Sequence, residues 1–336
     1  MPLEMFARGF LGCLPFGLLS QLNASPLLPC YHIVTDKRPK YARNVYACRS
    51  IKAFTDDLAW FMKNSTPVSL DDISDSLKNE TALPPNCFHI SFDDGMRECH
   101  DITAPILKRF NVPATFFLNS AFIDNKQMFY RNKISLLLGT FNVNLSKKQD
   151  TIVRNIFEIE GMSYNGFYKS MLSIKYSQSA LVEKVAAVFD FSFDSYLKNN
   201  QPYLTSEQIE GLIQDGFSIG AHSVDHPHYM DLTLEQQIRQ TRESMVFLSS
   251  RFPVSTRAFA FPHSDVGVPV SFFKALSQDV DIFFGTSRMK KDQIPNCLHR
   301  FSLENENFSC SEIVKGNLLQ YAMNTVLGKN EIKRVQ

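Results

Sequence analysis

The tightest constraint on this chain is an alternation. Short apolar runs recur between segments with helical spacing. The runs are SPLLPCYHIV (25–34), CFHISF (87–92), VPATFFLN (112–119), FSIGAHS (217–223), RAFAFPHSD (257–265), DIFFGTS (281–287) and NCLHRFSLE (296–304). Between the first two, Phe54, Leu58 and Phe61 share one helical face over 51–62. APILKRF (104–110) and SFFKALSQ (271–278) read as helices, as does 204–216, with Thr205 and Gln208 as a capping box and Gly216 as a stop. A long helix over 233–252 takes Thr233 as its cap. Strands alternating with helices predict βα units, a parallel sheet and, most simply, a single (β/α) barrel over 25–310.

Two regions fall outside the alternation. Residues 122–203 are rich in Asn, Lys, Ser and Phe, and their periodicity is helical, as in KISLLLGTF and SALVEKVAAVF. They read as a helical insertion on a loop of the barrel, either packed against it or serving as a lid over a site. The leader, 1–24, holds GFLGCLPFGLL, which is too short to span a bilayer. It reads as an amphipathic helix that would make a peripheral membrane contact, with a signal peptide ending near LNAS (22–25) as the alternative. Residues 311–336 read as a C-terminal helix or tail.

Composition narrows the partners. With 35 basic and 34 acidic residues there is no field for nucleic acid over the whole surface. One local excess of basic residues, TDKRPKYAR (35–43), is a solvated loop or a site for an anionic substrate or lipid head group. The 7 cysteines show no pairing pattern, which favours reduced thiols and a cytoplasmic or membrane-peripheral location, while export stays open. Oligomeric state leaves no mark on the sequence.

In a barrel of this kind, functional residues gather where strands end. His32, the Asp93–Asp94 pair, His222 and His263 all fall at such ends. Consecutive side chains leaving a strand diverge, so one carboxylate of the pair can ligate a cation while the other acts as a base beside it. In HSVDH, histidines 222 and 226 have the spacing of one helical face. A metalloprotease would need glutamate where Ser223 stands. Two imidazoles and one carboxylate leave a coordination position open for water.

SFDDG (91–95), VPATFF (112–117), GFSIGAHSVDHP (216–227) and FAFPHS (259–264) resemble the polysaccharide deacetylase family, the NodB-homology group, in order and spacing over roughly 28–121 and 204–304. The resemblance implies a distorted (β/α)7 barrel and metal-dependent hydrolysis of N- or O-acetyl groups on a sugar, glycan or lipid-linked saccharide. It implies a divalent metal, commonly zinc, on Asp94, His222 and His226, with Asp93 as general base. A main-chain N–H near His263, where the family usually has tyrosine, would complete the oxyanion site.

The third motif departs from the family's pattern, with Ala260 where an arginine normally braces the base. Arg300 or Arg257 would have to supply that brace. The family's general acid is a histidine in a Leu-His pair, matched by Leu298–His299. PCYHIV (29–34) resembles instead the opening of the circularly permuted deacetylases, which assigns this role to His32, the preferred candidate because it ends a clean strand. The alternative function is a glycan-binding protein without turnover on the same barrel. His89 reads as structural, Ser91 as packing, and His228 as out of phase with the metal pair.

Overall fold

The structure, a computed structural model, is described for residues 15–21, 26–141 and 145–336. Most of the expected leader, including LNAS, lies outside the described residues. The part that is described forms a short helix, Phe16–Ser20, with Phe16 edge-on to Trp60 at 5.0 Å between ring centroids.

The apolar runs become the staves of a parallel barrel. They are β1 (Pro29–Tyr31), β2 (Ile90–Phe92), β3 (Ala114–Leu118), β4 (Ser218–Ala221), β5 (Ala258–Ala260), β6 (Ile282–Gly285), β7 (Cys297–His299) and β8 (Phe301–Ser302). Strands covered by helices on one face and by barrel interior on the other are buried throughout, so they read as unbroken apolar runs. All five residues of β3 are buried. The register runs Cys30 to Ser91, Phe92 to Phe116, Leu118 to Ala221, Ala221 to Phe259, Ala260 to Phe284 and Gly285 to His299, with every pairing parallel.

Closure depends on one residue. β7 pairs with β6 and β8 pairs with β1, with only Arg300 between β7 and β8. The two edges of the sheet are thus one run of chain, and counting that run once gives seven staves. The Arg300 N–H donates to the Gly285 carbonyl at 3.0 Å, and the Phe301 N–H to the Leu28 carbonyl at 3.1 Å. The kink at Arg300 transfers the chain's hydrogen bonds from one neighbour to the other. The fold is the distorted (β/α)7 barrel of the NodB type.

Helices close the outside. Ile51–Asn64 is capped by the Ser50 hydroxyl and buries Phe54, Leu58 and Phe61. Leu234–Arg251 begins with a reciprocal capping box between Thr233 and Gln236. The helix after β2 opens with a π-helical turn, Cys99–Thr103, before its regular part, Ala104–Phe110. Pro105 lies at the start of that regular part and has no N–H to bond back into the π-helical turn before it. His89 interrupts the run before β2 and bonds the Val68 carbonyl and Thr115 Oγ1, both at 2.8 Å. Burial takes its pKa down to about 4.

Between β3 and the barrel helix Ser206–Gln214 that precedes β4, the described residues build five α-helices, Tyr130–Phe141, Lys147–Ile159, Phe167–Ser173, Ala180–Ala187 and Phe193–Asn200. They share an apolar core that also takes in Ile33, Tyr41 and Cys48 from the loop after β1. After β8 the helix Cys310–Val326 leads to a short strand, Glu331–Ile332, paired with Lys291–Asp292. Among the described residues, no helix is long and apolar enough to cross a membrane.

Candidate metal and catalytic site

The end of β2 separates its two acids. The Asp93 N–H still belongs to the barrel and donates to the Tyr31 carbonyl at 2.9 Å. Asp94 (φ 72°) and Gly95 (φ 62°) are left-handed. A Cβ on Gly95 would lie 3.0 Å from Leu118 Cδ2, so both backbone and space favour glycine there. Asp93 meets Arg300 in a buried bidentate pair, Nη1 to Oδ1 at 2.6 Å and Nη2 to Oδ2 at 2.8 Å. Burial alone would raise the Asp93 carboxyl, but the Arg300 guanidinium holds it below its ordinary value.

Asp94 turns the other way. Its Oδ2 accepts the Tyr46 hydroxyl at 2.6 Å. Its Oδ1 is buried and accepts no hydrogen bond. That oxygen lies 3.1 Å from His226 Nε2 and 3.4 Å from His222 Nε2.

The two histidines do not share a helical turn, contrary to the spacing argument. Ser223 (φ 71°) and His226 (φ 64°) are left-handed, and the loop is irregular. The Ser223 hydroxyl accepts the His226 N–H at 3.0 Å, which folds the segment back on itself and brings the imidazoles together. Asp225 ties the loop down through Gln240 Nε2 at 2.8 Å and the Tyr176 hydroxyl at 2.7 Å. The two imidazoles meet through this loop and not through a helical turn.

The tautomers follow from the partners. His222 Nδ1 lies 2.8 Å from the Ala260 carbonyl, which can only accept, so Nδ1 carries the proton and Nε2 turns a lone pair toward Asp94. Burial takes the pKa of His222 down to about 4, which keeps the ring neutral. His226 Nδ1 lies 3.1 Å from His263 Nε2. One donor atom each from Asp94, His222 and His226 lies within 4.8 Å of the other two. A buried carboxylate oxygen without a hydrogen bond is costly by itself. Two imidazole nitrogens and a carboxylate oxygen are the donor set a zinc-like cation takes. The residues fit such an ion.

A cleft of about 970 Å³ opens over these groups, lined among others by His32, Tyr46, Asp93, Phe129, His263 and Arg300. The insertion contributes Phe129 and Arg131 to its wall, while none of the basic stretch 35–43 lines it. Arg38 in that stretch pairs with Glu306 at 3.0 Å, with both side chains largely exposed.

His32 Nδ1 lies 2.7 Å from Glu304 Oε2, and Glu304 Oε1 accepts the His32 and Ile33 N–H groups at 2.6 and 3.1 Å. Burial works against charge on His32, but the Glu304 carboxylate more than offsets it and takes the pKa up to about 10. Neither Glu304 nor Tyr46 was singled out from the sequence. Each reaches the site from far along the chain, with no local motif around it.

His299 faces away from the cleft. Its Nε2 bonds Asp292 Oδ2 at 2.9 Å and its Nδ1 accepts the Ser287 N–H at 3.1 Å. Asp292, Cys297 and His299 have a metal-like spacing of their own, but the Arg334 guanidinium already sits 2.6 Å from Asp292 Oδ2 and neutralises it. Arg257 pairs with Asp281 at 2.8 Å, at the start of β5 and away from Asp93. Arg300, by contrast, also donates to Ser91 Oγ at 2.9 Å, so Ser91 is a buried acceptor and not simple packing. The His263 loop turns tightly, with the Ser264 N–H on the Pro262 carbonyl at 2.6 Å and His263 left-handed at φ 56°.

Barrel and cleft together define a class, the parallel-barrel proteins that carry a His2Asp donor set at the strand ends beside a carboxylate held by arginine. The family model for polysaccharide deacetylase matches residues 80–277, and the chain belongs to that family. No curated protein matches the chain. Among solved structures, it is similar to the Streptococcus pyogenes deacetylase PplD in complex with acetate, at 15% identity and TM-score 0.54, over 88% of this chain and 96% of that one. IcaB from Ammonifex degensii is 16% identical at TM-score 0.54, over 88% and 97% of the two chains. A de-N-acetylase from Aggregatibacter actinomycetemcomitans is 15% identical at TM-score 0.55, over 87% and 98%. At these identities the likeness speaks for the fold.

Proposed function

We propose that this chain is a metal-dependent hydrolase that removes the acetyl group from an acetylated amino sugar within a glycan or lipid-linked saccharide. The observation that carries the reading is Asp94 Oδ1, buried and without a hydrogen bond, facing two imidazole Nε2 atoms under an open cleft. A divalent ion held by Asp94, His222 and His226, zinc by the family's habit, would acidify a water and polarise the acetyl carbonyl. Asp93, kept ionised by Arg300, takes the proton of the water as its oxygen attacks the carbonyl carbon. A main-chain N–H at His263 steadies the oxygen that becomes negative. His32, protonated through Glu304, gives its proton to the departing nitrogen as the C–N bond breaks, leaving acetate and a free amine. Base assistance of this kind contributes about 10²–10⁴-fold in rate.

The test pairs metal analysis with acetate release from N-acetylglucosamine oligomers. Asp94→Asn loses the metal, whereas Asp93→Asn keeps it and loses turnover. If both variants hold metal as the unmodified chain does, the role given to Asp94 is wrong. The glycan-binding alternative draws on the missing arginine at Ala260 and on histidine in place of tyrosine at His263; the contact between Arg300 and Asp93 answers the first.

A further inference from the structure

We propose that His263 is a positioning residue whose side chain secures the metal ligand His226; this rests on the deacetylase reading above. If His226 turns an Nε2 lone pair toward the ion, its proton must lie on Nδ1. That Nδ1 is 3.1 Å from His263 Nε2, so His226 donates and His263 accepts. His263 then carries its own proton on Nδ1. One geometry fixes two tautomers.

The companion ligand is secured in the same way. His222 donates its Nδ1 proton to the Ala260 carbonyl at 2.8 Å. Ala260 and His263 are three residues apart, at the end of β5 and in the loop beyond it. A single strand end therefore pins both metal imidazoles, one through a backbone oxygen and the other through a side chain. The backbone acceptor survives any substitution at its position, but the imidazole acceptor does not.

His263 is itself held. It stacks on His228 with ring centroids 3.6 Å apart and planes 9° apart, and it stands nearly perpendicular to His226 at 81°. Phe129 packs against the His226 ring at 4.5 Å and approaches His263 at 6.1 Å. The His263 backbone is left-handed at φ 56°, a conformation uncommon for residues other than glycine.

Groups that orient a metal histidine are typically worth about 10–100-fold in metal affinity. The experiment strips the full chain with a chelator and titrates Zn²⁺ and Co²⁺ against a chromophoric competitor. His263→Phe and His263→Leu fill the space without an acceptor, and both are expected to weaken Zn²⁺ binding about 10–100-fold and to shift the Co²⁺ visible spectrum. His263→Gln restores an acceptor oxygen and recovers most of the affinity and the spectrum. Asp94→Asn serves as the variant that loses the ion altogether. Normal Zn²⁺ affinity and an unchanged Co²⁺ spectrum in either acceptor-less variant overturn this inference alone. A wild-type chain that takes up neither ion overturns the reading beneath it, and this inference with it.

Discussion

Replacing Arg300 with methionine tests the site and the fold at once. The guanidinium meets Asp93 at 2.6 and 2.8 Å, side-chain exposure is 2% for the arginine and 6% for the aspartate, and the guanidinium lies 5.0 Å from the Phe117 ring. Water cannot screen such a pair, so removing one partner strands a charge in the barrel wall. Breaking a buried pair costs about 3–5 kcal/mol, against about 0–1 kcal/mol for an exposed one. Arg300→Met should therefore lose about 3–5 kcal/mol in urea unfolding. Adding Asp93→Asn to it should return part of that loss, because no lone charge then remains. A double-mutant cycle reads the coupling directly, and it should exceed about 2 kcal/mol. Turnover should fall by about 10²–10⁴-fold while bound metal stays near the wild-type level, since Arg300 touches the base and not the ligands. Two single variants that each cost under about 1 kcal/mol and simply add would refute the argument, because the pair would then be behaving like a surface contact.

Three further outcomes follow from the geometry. Tyr46→Phe removes the only hydrogen bond to Asp94 Oδ2 among the described residues, at 2.6 Å, and should weaken Zn²⁺ binding about 10–100-fold; unchanged affinity would remove Tyr46 from the site. Glu304→Gln keeps an acceptor for the His32 and Ile33 N–H groups but loses the charge that takes the His32 pKa up to about 10. A raised histidine pKa stabilises the fold fully below about 6.5 and loses that contribution as pH rises through about 10, so the wild-type urea midpoint should fall over that window and the Gln variant's should not. An NMR titration placing the His32 midpoint of the variant still near 10 would contradict this. Gly220→Ala would set a Cβ 2.5 Å from the Phe117 ring and 2.9 Å from the Ala258 carbonyl, where the backbone atom cannot move aside. A loss of about 1–3 kcal/mol in thermal unfolding is expected, and a melt equal to wild type would mean that β4 has slack.

The chain made some of this site legible and hid the rest for definite reasons. Parallel strands buried on both faces appear as apolar runs, so each stave and its terminal residue stands out without an alignment. Asp93 and Asp94 share one short motif, and His222 and His226 share another, so all four stand out. Glu304 reaches His32 across 272 residues and Arg300 reaches Asp93 across 207, and no local pattern records either contact. The choice between His32 and His299 was open to one more physical step. Neighbours on a strand face opposite sides, so an inward Arg300 turns His299 outward. HSVDH failed as a helix because its loop needs two left-handed residues, neither of them glycine, and spacing alone carries no such signal.

The stave that closes the barrel also dates the site. A ribosome adds about 5–20 residues per second, so roughly 10–40 s pass between the emergence of Asp93 and that of Arg300, 207 positions later. Throughout that interval the staves already made have no seventh to join, and the Asp93 carboxylate has no Arg300 beside it. Until the closing run arrives, β1 and β6 remain open sheet edges, the kind of surface on which nascent chains misassemble. Closure of the wall and the pairing of Asp93 thus hang on one late residue, Arg300.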